Sequence, residues 1–410
     1  MGTMVETKTP AQLGAAGRTF LALLDEYVTD ATITFEVNGS EQVVGRKSAK
    51  GQLPNDITLR VHRERFFERI LSEASLGIGE SFMDGDFEMA DGEIADFLTI
   101  LLRNRVDQKV RKNWRLSWNV LRIRLANLFR GREGNIHQAY DVGADLFKCF
   151  LDPTMMYSCA YVNSEDEDLE QIQHNKLDRI CRKLKLQPGE RLLDIGCGFA
   201  GLLIYAAQNF GVQGLGITLS HSHRDLGNER VHDAGLEDKI RIEYLDYLKL
   251  DGKFDKVVSV GMVEHVPRRE YSQYFGTIAR VLEPVGMGLV QTAGTSATKN
   301  EHDPFIQKYI LPDSNQLKLS EIADNLEHSG LAVLDVENMK LHYAYTAQGW
   351  LRNFRRNRHT LDPKKYDDRF SRMWEYYLAC ASACAQAADA ALFQVLFTKD
   401  YTAPVPLHRV

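Results

Sequence analysis

The chain has no C-x-x-C pair, although it carries six cysteines in 410 residues. Cys149, Cys159, Cys181, Cys197, Cys380 and Cys384 are scattered. That argues against a disulfide framework or a zinc knuckle and fits a reducing cytoplasm. No apolar run reaches the roughly 20 residues needed to span a bilayer. The opening MGTMVETKTPAQLGAAG lacks the basic start and apolar core of a secretory signal. Excess positive charge is missing as well: 50 Lys and Arg against 56 Asp and Glu give −6, which excludes nucleic-acid binding by bulk electrostatics. There is no internal repeat and no low-complexity tract. A membrane would be met from its side.

The length suits two domains. In the first hundred residues, ATITFEV and ITLRVH alternate and are β-branched, which predicts strands. HRERFFERILSEA has helical spacing, and GESFMDGDFEMADGEIADFLTILLR is a turn-rich piece running into a helix. A basic stretch follows over 103–132. It carries Arg103, Arg105, Lys109, Arg111, Lys112, Arg115, Arg122, Arg124, Arg130 and Arg132, with Trp114 and Trp118 interleaved among leucines. It reads as a basic amphipathic helix suited to an anionic membrane surface, or equally as a solvated linker helix. Residues 133–190 form a helical lead-in. From 191 strands and helices alternate through RLLDIG, VQGLGITL, IRIEYLD, FDKVVSVGMVEHV and MGLVQTAG, which predicts an α/β fold with a doubly wound, mostly parallel sheet. Beyond about 300 the pattern reads as mostly helical, including the whole of FSRMWEYYLACASACAQAADAALFQVLF.

Within LLDIGCGFAG, Gly196-Cys197-Gly198-Phe199-Ala200-Gly201 matches G-x-G-x-x-G. Glycines at a strand-to-helix turn let the backbone approach a ligand. A dinucleotide would set its pyrophosphate there, and the carboxylate of Asp194, two residues upstream, would repel it. The ammonium and sulfonium of S-adenosylmethionine suit that acid better. Asp246-Tyr247 after the strand IRIEYL agrees, as does the glycine-containing loop after VVSV. The ribose-binding acid expected about 20 residues after the glycines is missing. Thr218 and Ser220 stand there instead.

The chain resembles the cyclopropane fatty acid synthase family, which includes mycolic acid cyclopropane synthases and relatives that methylate unsaturated acyl chains. The resemblance rests on YDVGADLFKCFLDPTMMYSCAYV, LLDIGCGFAGLLIYAA, GLGITLS, GMVEHV, DPFIQKYI, the terminal WEYYL…LFQVLFTK and GESFMDGDFE. It implies a Rossmann-like class I methyltransferase fold with a helical lid over residues 133–410. It also implies a smaller N-terminal α+β, lipid- or membrane-associated domain over 1–132. The implied reaction is methyl or methylene transfer from S-adenosylmethionine to the double bond of an unsaturated phospholipid acyl chain, through a carbocation, at a dry site. Tyr157, Ser158, Asp194, Gly196, Gly198, Thr218, Leu219, Asp246 and Tyr247 are then expected to hold the cofactor. His223 lies beside them, where the family has glutamine. Cys159, Glu264 and Tyr343 are expected to line a bicarbonate pocket.

The resemblance breaks at four places. Gln291 stands where the family has the histidine that helps hold bicarbonate, and glutamine cannot accept a proton near neutral pH. Ala139 replaces another histidine, His223 replaces a glutamine, and a glycine-rich turn has become LPDSNQLKL. The cofactor half of the site reads as intact and the base half as altered. The product is a cyclopropane or a methyl or methylene branch, and bicarbonate binding stays open. A methyltransferase acting on a soluble small molecule and a catalytically altered lipid-binding protein are the alternatives. The implied setting is cytoplasmic and peripheral to the membrane, without nucleic acid or metal, and compatible with a homodimer.

Overall fold

The computed structural model describes residues 13–46, 56–112, 143–297, 303–311 and 314–402. The chain forms two compact units. One comprises Met1–Asp141, Asp303–Ile310 and Asp362–Ala388; the other comprises Val142–His302, Leu311–Leu361 and Asp389–Val410. The expected single boundary at 132/133 therefore misses two late segments, which return to the first unit.

The first unit opens with α1 (Ala15–Tyr27), β1 (Ala31–Val37), β2 (Ser40–Arg46) and β3 (Asp56–Val61). It continues through α2 (Arg65–Glu73), α3 (Ser75–Met83), β4 (Phe87–Asp91), α4 (Ile94–Arg103) and α5 (Val106–Lys112). The sheet order is β2-β1-β3-β4, with β1 and β3 parallel. Asn38 and Gly39, both at positive φ, form the two-residue hairpin between β1 and β2. The late segments join because α3 offers them a close surface. A Cβ on Gly79 would come within 2.2 Å of the Phe305 ring and 2.8 Å of Tyr376, and the Tyr376 hydroxyl donates to the Ser75 carbonyl at 3.2 Å. The basic stretch does not begin as one helix at 103. α4 stops at Arg103, Arg105 takes positive φ, and Lys109 of α5 donates to the Tyr27 carbonyl at 3.2 Å. Residues 113–132 of that stretch, and Ala139, lie outside the described residues.

The second unit carries α6 (Ala144–Phe150), α7 (Leu169–Lys183), β5 (Arg191–Ile195), α8 (Gly201–Phe210), β6 (Gln213–Thr218), α9 (His221–Asp233) and β7 (Ile240–Tyr244). After them come β8 (Phe254–Val260), α10 (Tyr271–Val281) and β9 (Leu282–Thr295). α11 (Pro304–Tyr309) belongs to the first unit. The second resumes with α12 (Leu319–His328), β10 (Ala332–Asn338) and α13 (Lys340–Asn357). α14 (Asp368–Ala387) is again first-unit, and β11 (Ala390–Thr398) closes the second sheet.

That sheet has the order β10-β11-β9-β8-β5-β6-β7, parallel from β9 to β7, with β11 antiparallel to both its neighbours. Successive residues of β5 feed opposite faces. Leu193 packs with Val257, Tyr274 and Phe275, while Leu192 packs with Leu177, Leu203 and Ile240. Full burial of each leucine is worth roughly 1.5–3 kcal/mol. The expected helix through 397 ends at Ala387, and Ala390–Thr398 is an interior strand. ALFQVLF is apolar except for Gln394, because a strand covered on both faces has no solvent-facing side to show. LAVLDVEN likewise holds β10 within a region expected to be mostly helical.

Candidate active site

The chain runs outward from β5 through β6 to β7, then resumes on the other side of β5 at β8. The order reverses between β5 and β8, where the strands' carboxyl ends leave a crevice. The Ser259 hydroxyl of β8 donates to the Ile195 carbonyl of β5 at 2.8 Å and fixes the two ends together.

Three segments converge there. The first is the glycine turn. Gly196 takes φ +82°, and a Cβ on it would meet the Met262 side chain at 2.7 Å. Gly198, at φ +52°, faces open space, and Ala200 enters α8 in the left-handed conformation at φ 65°. The second is the loop 152–159. A Cβ on Gly201 would come within 2.3 Å of the Thr154 carbonyl oxygen, so only glycine lets this loop lie against the start of α8. Asp152, buried, shapes the loop by accepting from the Thr154 amide at 2.8 Å and the Met156 amide at 3.3 Å. The third is the loop after β8. A Cβ on Gly261, at φ +69°, would lie 3.8 Å from both Glu264 Oε1 and Ser158 Cβ, so those two side chains border the same small space.

Asp194 is buried at the end of β5. Burial pushes its carboxyl up to about 7, against the pull of the Lys176 ammonium. Lys176 of α7 is fully buried, and burial brings its ammonium down to about 8 despite Asp152, Cys159 and Asp194 nearby. Its Nζ donates to Ser158 Oγ at 3.1 Å, and Gln173, one turn earlier, donates to the Ser158 carbonyl at 2.9 Å. Neither residue was found from the sequence. The available signal was a lysine at i+3 from a glutamine, next to Leu177 on the apolar face of the helix.

Along the β6 and β7 ends, the Thr218 hydroxyl accepts from the Ser220 amide at 3.1 Å, and Ser220 caps α9 by accepting from the His223 amide at 3.2 Å. Leu219 is 58% exposed, unusual for a leucine. Asp246 accepts from the Leu248 amide at 3.0 Å. The Tyr247 ring packs edge-on against Tyr274 in the core. His223 sits 4.5 Å from the Phe199 ring, and burial lowers its pKa.

An aromatic wall borders the glycine turn. Phe147 reaches Phe199 at 5.6 Å and Tyr157 at 5.3 Å; Tyr157 reaches Trp350 at 5.2 Å; Trp350 meets Tyr343 at 6.1 Å. Phe354 is also buried on α13, while Trp374, Tyr376 and Tyr377 belong to α14 of the first unit.

Glu264 sits on the short turn after β8. Thr292 Oγ1 donates to its Oε2 at 2.9 Å, and the Ala293 amide to its Oε1 at 3.5 Å. Desolvation still raises its pKa. Cys159 is buried and its thiol is pushed up to about 12 by burial, so it stays protonated. Gln291 does not share the space at Gly261. Its Nε2 donates to the Cys159 carbonyl at 2.9 Å, and its Oε1 accepts from Gln394 Nε2 at 2.9 Å. Gln394 Oε1 in turn accepts from Lys183 Nζ at 2.6 Å, and Lys183 reaches Glu337 at 2.7 Å. Gln291 is thus a link in a buried relay from α7 to the Cys159 backbone.

The donor set fits S-adenosylmethionine. An open glycine turn, a buried carboxylate for positive charge and an exposed leucine for a flat ring lie along one crevice edge. The comparisons agree. Residues 130–395 match the family model described as mycolic acid cyclopropane synthetase. The chain is 38% identical over 351 residues to the cyclopropane-fatty-acyl-phospholipid synthase of Escherichia coli, covering 85% of this chain and 89% of that one. It is 33% identical over 350 residues to the tuberculostearic acid methyltransferase of Mycobacterium tuberculosis, covering 80% of each. A crystal structure of a mycolic acid cyclopropane synthase complexed with SAH and CTAB superposes with a TM-score of 0.57 at 26% identity, over 64% of this chain and 97% of that one. The chain belongs to the mycolic acid cyclopropane synthetase family and is an S-adenosylmethionine-dependent methyltransferase.

Proposed function

We propose that this enzyme methylates the double bond of an unsaturated acyl chain of a membrane phospholipid, leaving a cyclopropane or a methyl or methylene branch. The observation that carries this reading is the aromatic wall of Phe147, Tyr157, Phe199, Tyr343 and Trp350 beside the glycine turn. A soluble polar nucleophile would call for hydrogen-bonding groups there. An apolar chain calls for aromatic faces, which also stabilise a positive charge developing on it.

When bound, S-adenosylmethionine supplies an electrophilic methyl carbon on a sulfonium. Asp194 would hold the cofactor's positive charge, with Gly196, Gly198, Thr218, Leu219 and Asp246 along its length and Tyr157 and Ser158 on the facing loop. Lys176 and Gln173 hold that loop in place. The aromatic wall excludes water that would trap the cation. Glu264 is the titratable group at the Gly261 space, oriented by Thr292. Gln291 donates one amide hydrogen to the Cys159 carbonyl and accepts one bond from Gln394, and no step is assigned to bicarbonate. Peripheral attachment at a cytoplasmic, anionic membrane surface belongs to the proposal, supported by the basic stretch 103–132. Among the described residues no helix is long and apolar enough to cross a membrane.

The test is incubation with unsaturated phospholipid vesicles and trideuteromethyl-labelled S-adenosylmethionine, read by mass spectrometry and proton NMR. Three deuterons retained on the acyl chain mean a methyl branch. Two retained with upfield ring protons mean a cyclopropane, and two with vinylidene protons a methylene branch. Cofactor binding without label in lipid refutes acyl methylation for the lipids tried.

A further inference from the structure

A second site lies wholly within the first unit. A cleft of about 490 Å³ opens between the start of α2, the turn after α3 and the first turns of α14. Arg63, Arg65, Arg369 and Arg372 line it. The lining acids are Asp84 and Asp368, and Asp86 and Arg69 stand behind them.

The arrangement is more than surface ion pairing. Asp86 is fully buried and takes Arg65 Nε at 2.8 Å, Arg69 Nη1 at 3.1 Å and Arg63 Nη1 at 3.2 Å. Asp84 takes Arg69 Nη1 at 2.8 Å and Arg369 Nε at 3.1 Å. Arg372 is fixed by the Phe82 carbonyl at 3.0 Å. Two carboxylates therefore orient four guanidiniums. Each guanidinium carries five N–H donors, and these bonds engage only one or two of its nitrogens. Five arginines against three aspartates leave an excess of positive charge. The forks are held before any ligand arrives, which lowers the ordering cost of binding. Gly85 lines the cleft with nothing within 4 Å of where its Cβ would stand, so the mouth is open. Planar forks lining one opening suit a tetrahedral oxyanion.

We propose that this cleft binds a phosphate group, either that of a phospholipid headgroup or free phosphate. The inference goes beyond the methyl-transfer reading, because anion binding requires no turnover. The test is titration of the full-length protein by calorimetry with dihexanoyl-phosphatidylglycerol below its micelle concentration, and separately with inorganic phosphate. Wild type is compared with Arg63→Gln/Arg372→Gln, which leaves the Asp86 contacts of Arg65 and Arg69 in place. Affinity for the lipid is expected to fall about 25-fold, roughly fivefold per arginine. A loss confined to inorganic phosphate assigns the site to the free anion. Unchanged binding of both probes overturns the proposal. S-adenosylmethionine affinity and melting temperature report folding. Should the double variant unfold, Arg372→Lys keeps the charge, removes the fork and is expected to weaken binding about threefold to fivefold. Intact anion binding in a protein that fails the deuterium test would sink acyl methylation and leave this site standing.

Discussion

The carboxyl ends of β5 and β9 border one crevice but are built by different means. At β5 the backbone does the shaping: glycines at positive φ, an open turn and one buried carboxylate. At β9 long-range side chains do it. Gln291 and Thr292 reach Cys159, Gln394 and Glu264 across 132, 103 and 28 residues of chain. A binding edge made of backbone tolerates substitution except at the glycines and the acid. An edge made of a closed relay is sensitive at every link, because each broken bond leaves a buried partner unsatisfied.

The sharpest way to break the β5 edge is Asp194→Asn. S-adenosylmethionine should bind about 100-fold more weakly, as expected for losing roughly 3 kcal/mol of interaction with a charged group, read by calorimetry. At the β9 edge, Gln291→Leu should lower unfolding free energy by about 2 kcal/mol, since the Cys159 carbonyl and the Gln394 amide both lose a partner. Gln394→Leu alone should cost a similar amount. The double variant should cost less than the sum by about 1 kcal/mol, in a urea-melt cycle. Additive losses would mean the relay is not a unit.

Acid–base behaviour separates the edges further. Asp194 has a raised carboxyl, so its stabilising contribution is full below about pH 4 and is lost as pH rises through about 7. Lys176 has a lowered ammonium, so its contribution is full above its unfolded value of 10.5 and is lost as pH falls through about 8. Together they place a shallow minimum in ligand-free melting temperature between pH 7 and 8. Asp194→Asn should flatten the acid limb and Lys176→Met the alkaline limb; unchanged profiles would refute the assignment. The smallest effect is expected from Thr292→Val. It removes one hydrogen bond to Glu264, about 1 kcal/mol, and should move the acid limb of the activity profile upward in pH.

What the sequence disclosed follows the same division. The glycine turn, Asp194 and the parallel strands β5 to β9 were legible because each is decided within a few residues. Glu264 was legible from its place after a strand. β11 was not, because a run apolar except for Gln394 fits a buried helix as well as a strand covered on both faces. Lys176 was hidden because a lysine on an amphipathic helix ordinarily points to water. The packing of the Tyr247 ring in the core beside Tyr274 was not legible, because only the neighbouring helix decides it. Gln291 was read as a weakened substitute for a histidine. Its partner Gln394 lies 103 residues away, beyond the reach of any local pattern.

β11 carries one further consequence. It comes late in the chain, after both helical segments 340–357 and 368–387, yet it lies between β9 and β10 in the middle of one half of the sheet. During synthesis β9 has no partner on that side until residues 390–398 emerge, and Gln291 has no Gln394. The nascent enzyme can thus form its cofactor edge early, while the opposite edge waits for nearly the whole polypeptide. Premature termination before 390 would release a chain with an exposed, apolar strand edge, a form suited to clearance rather than to partial activity.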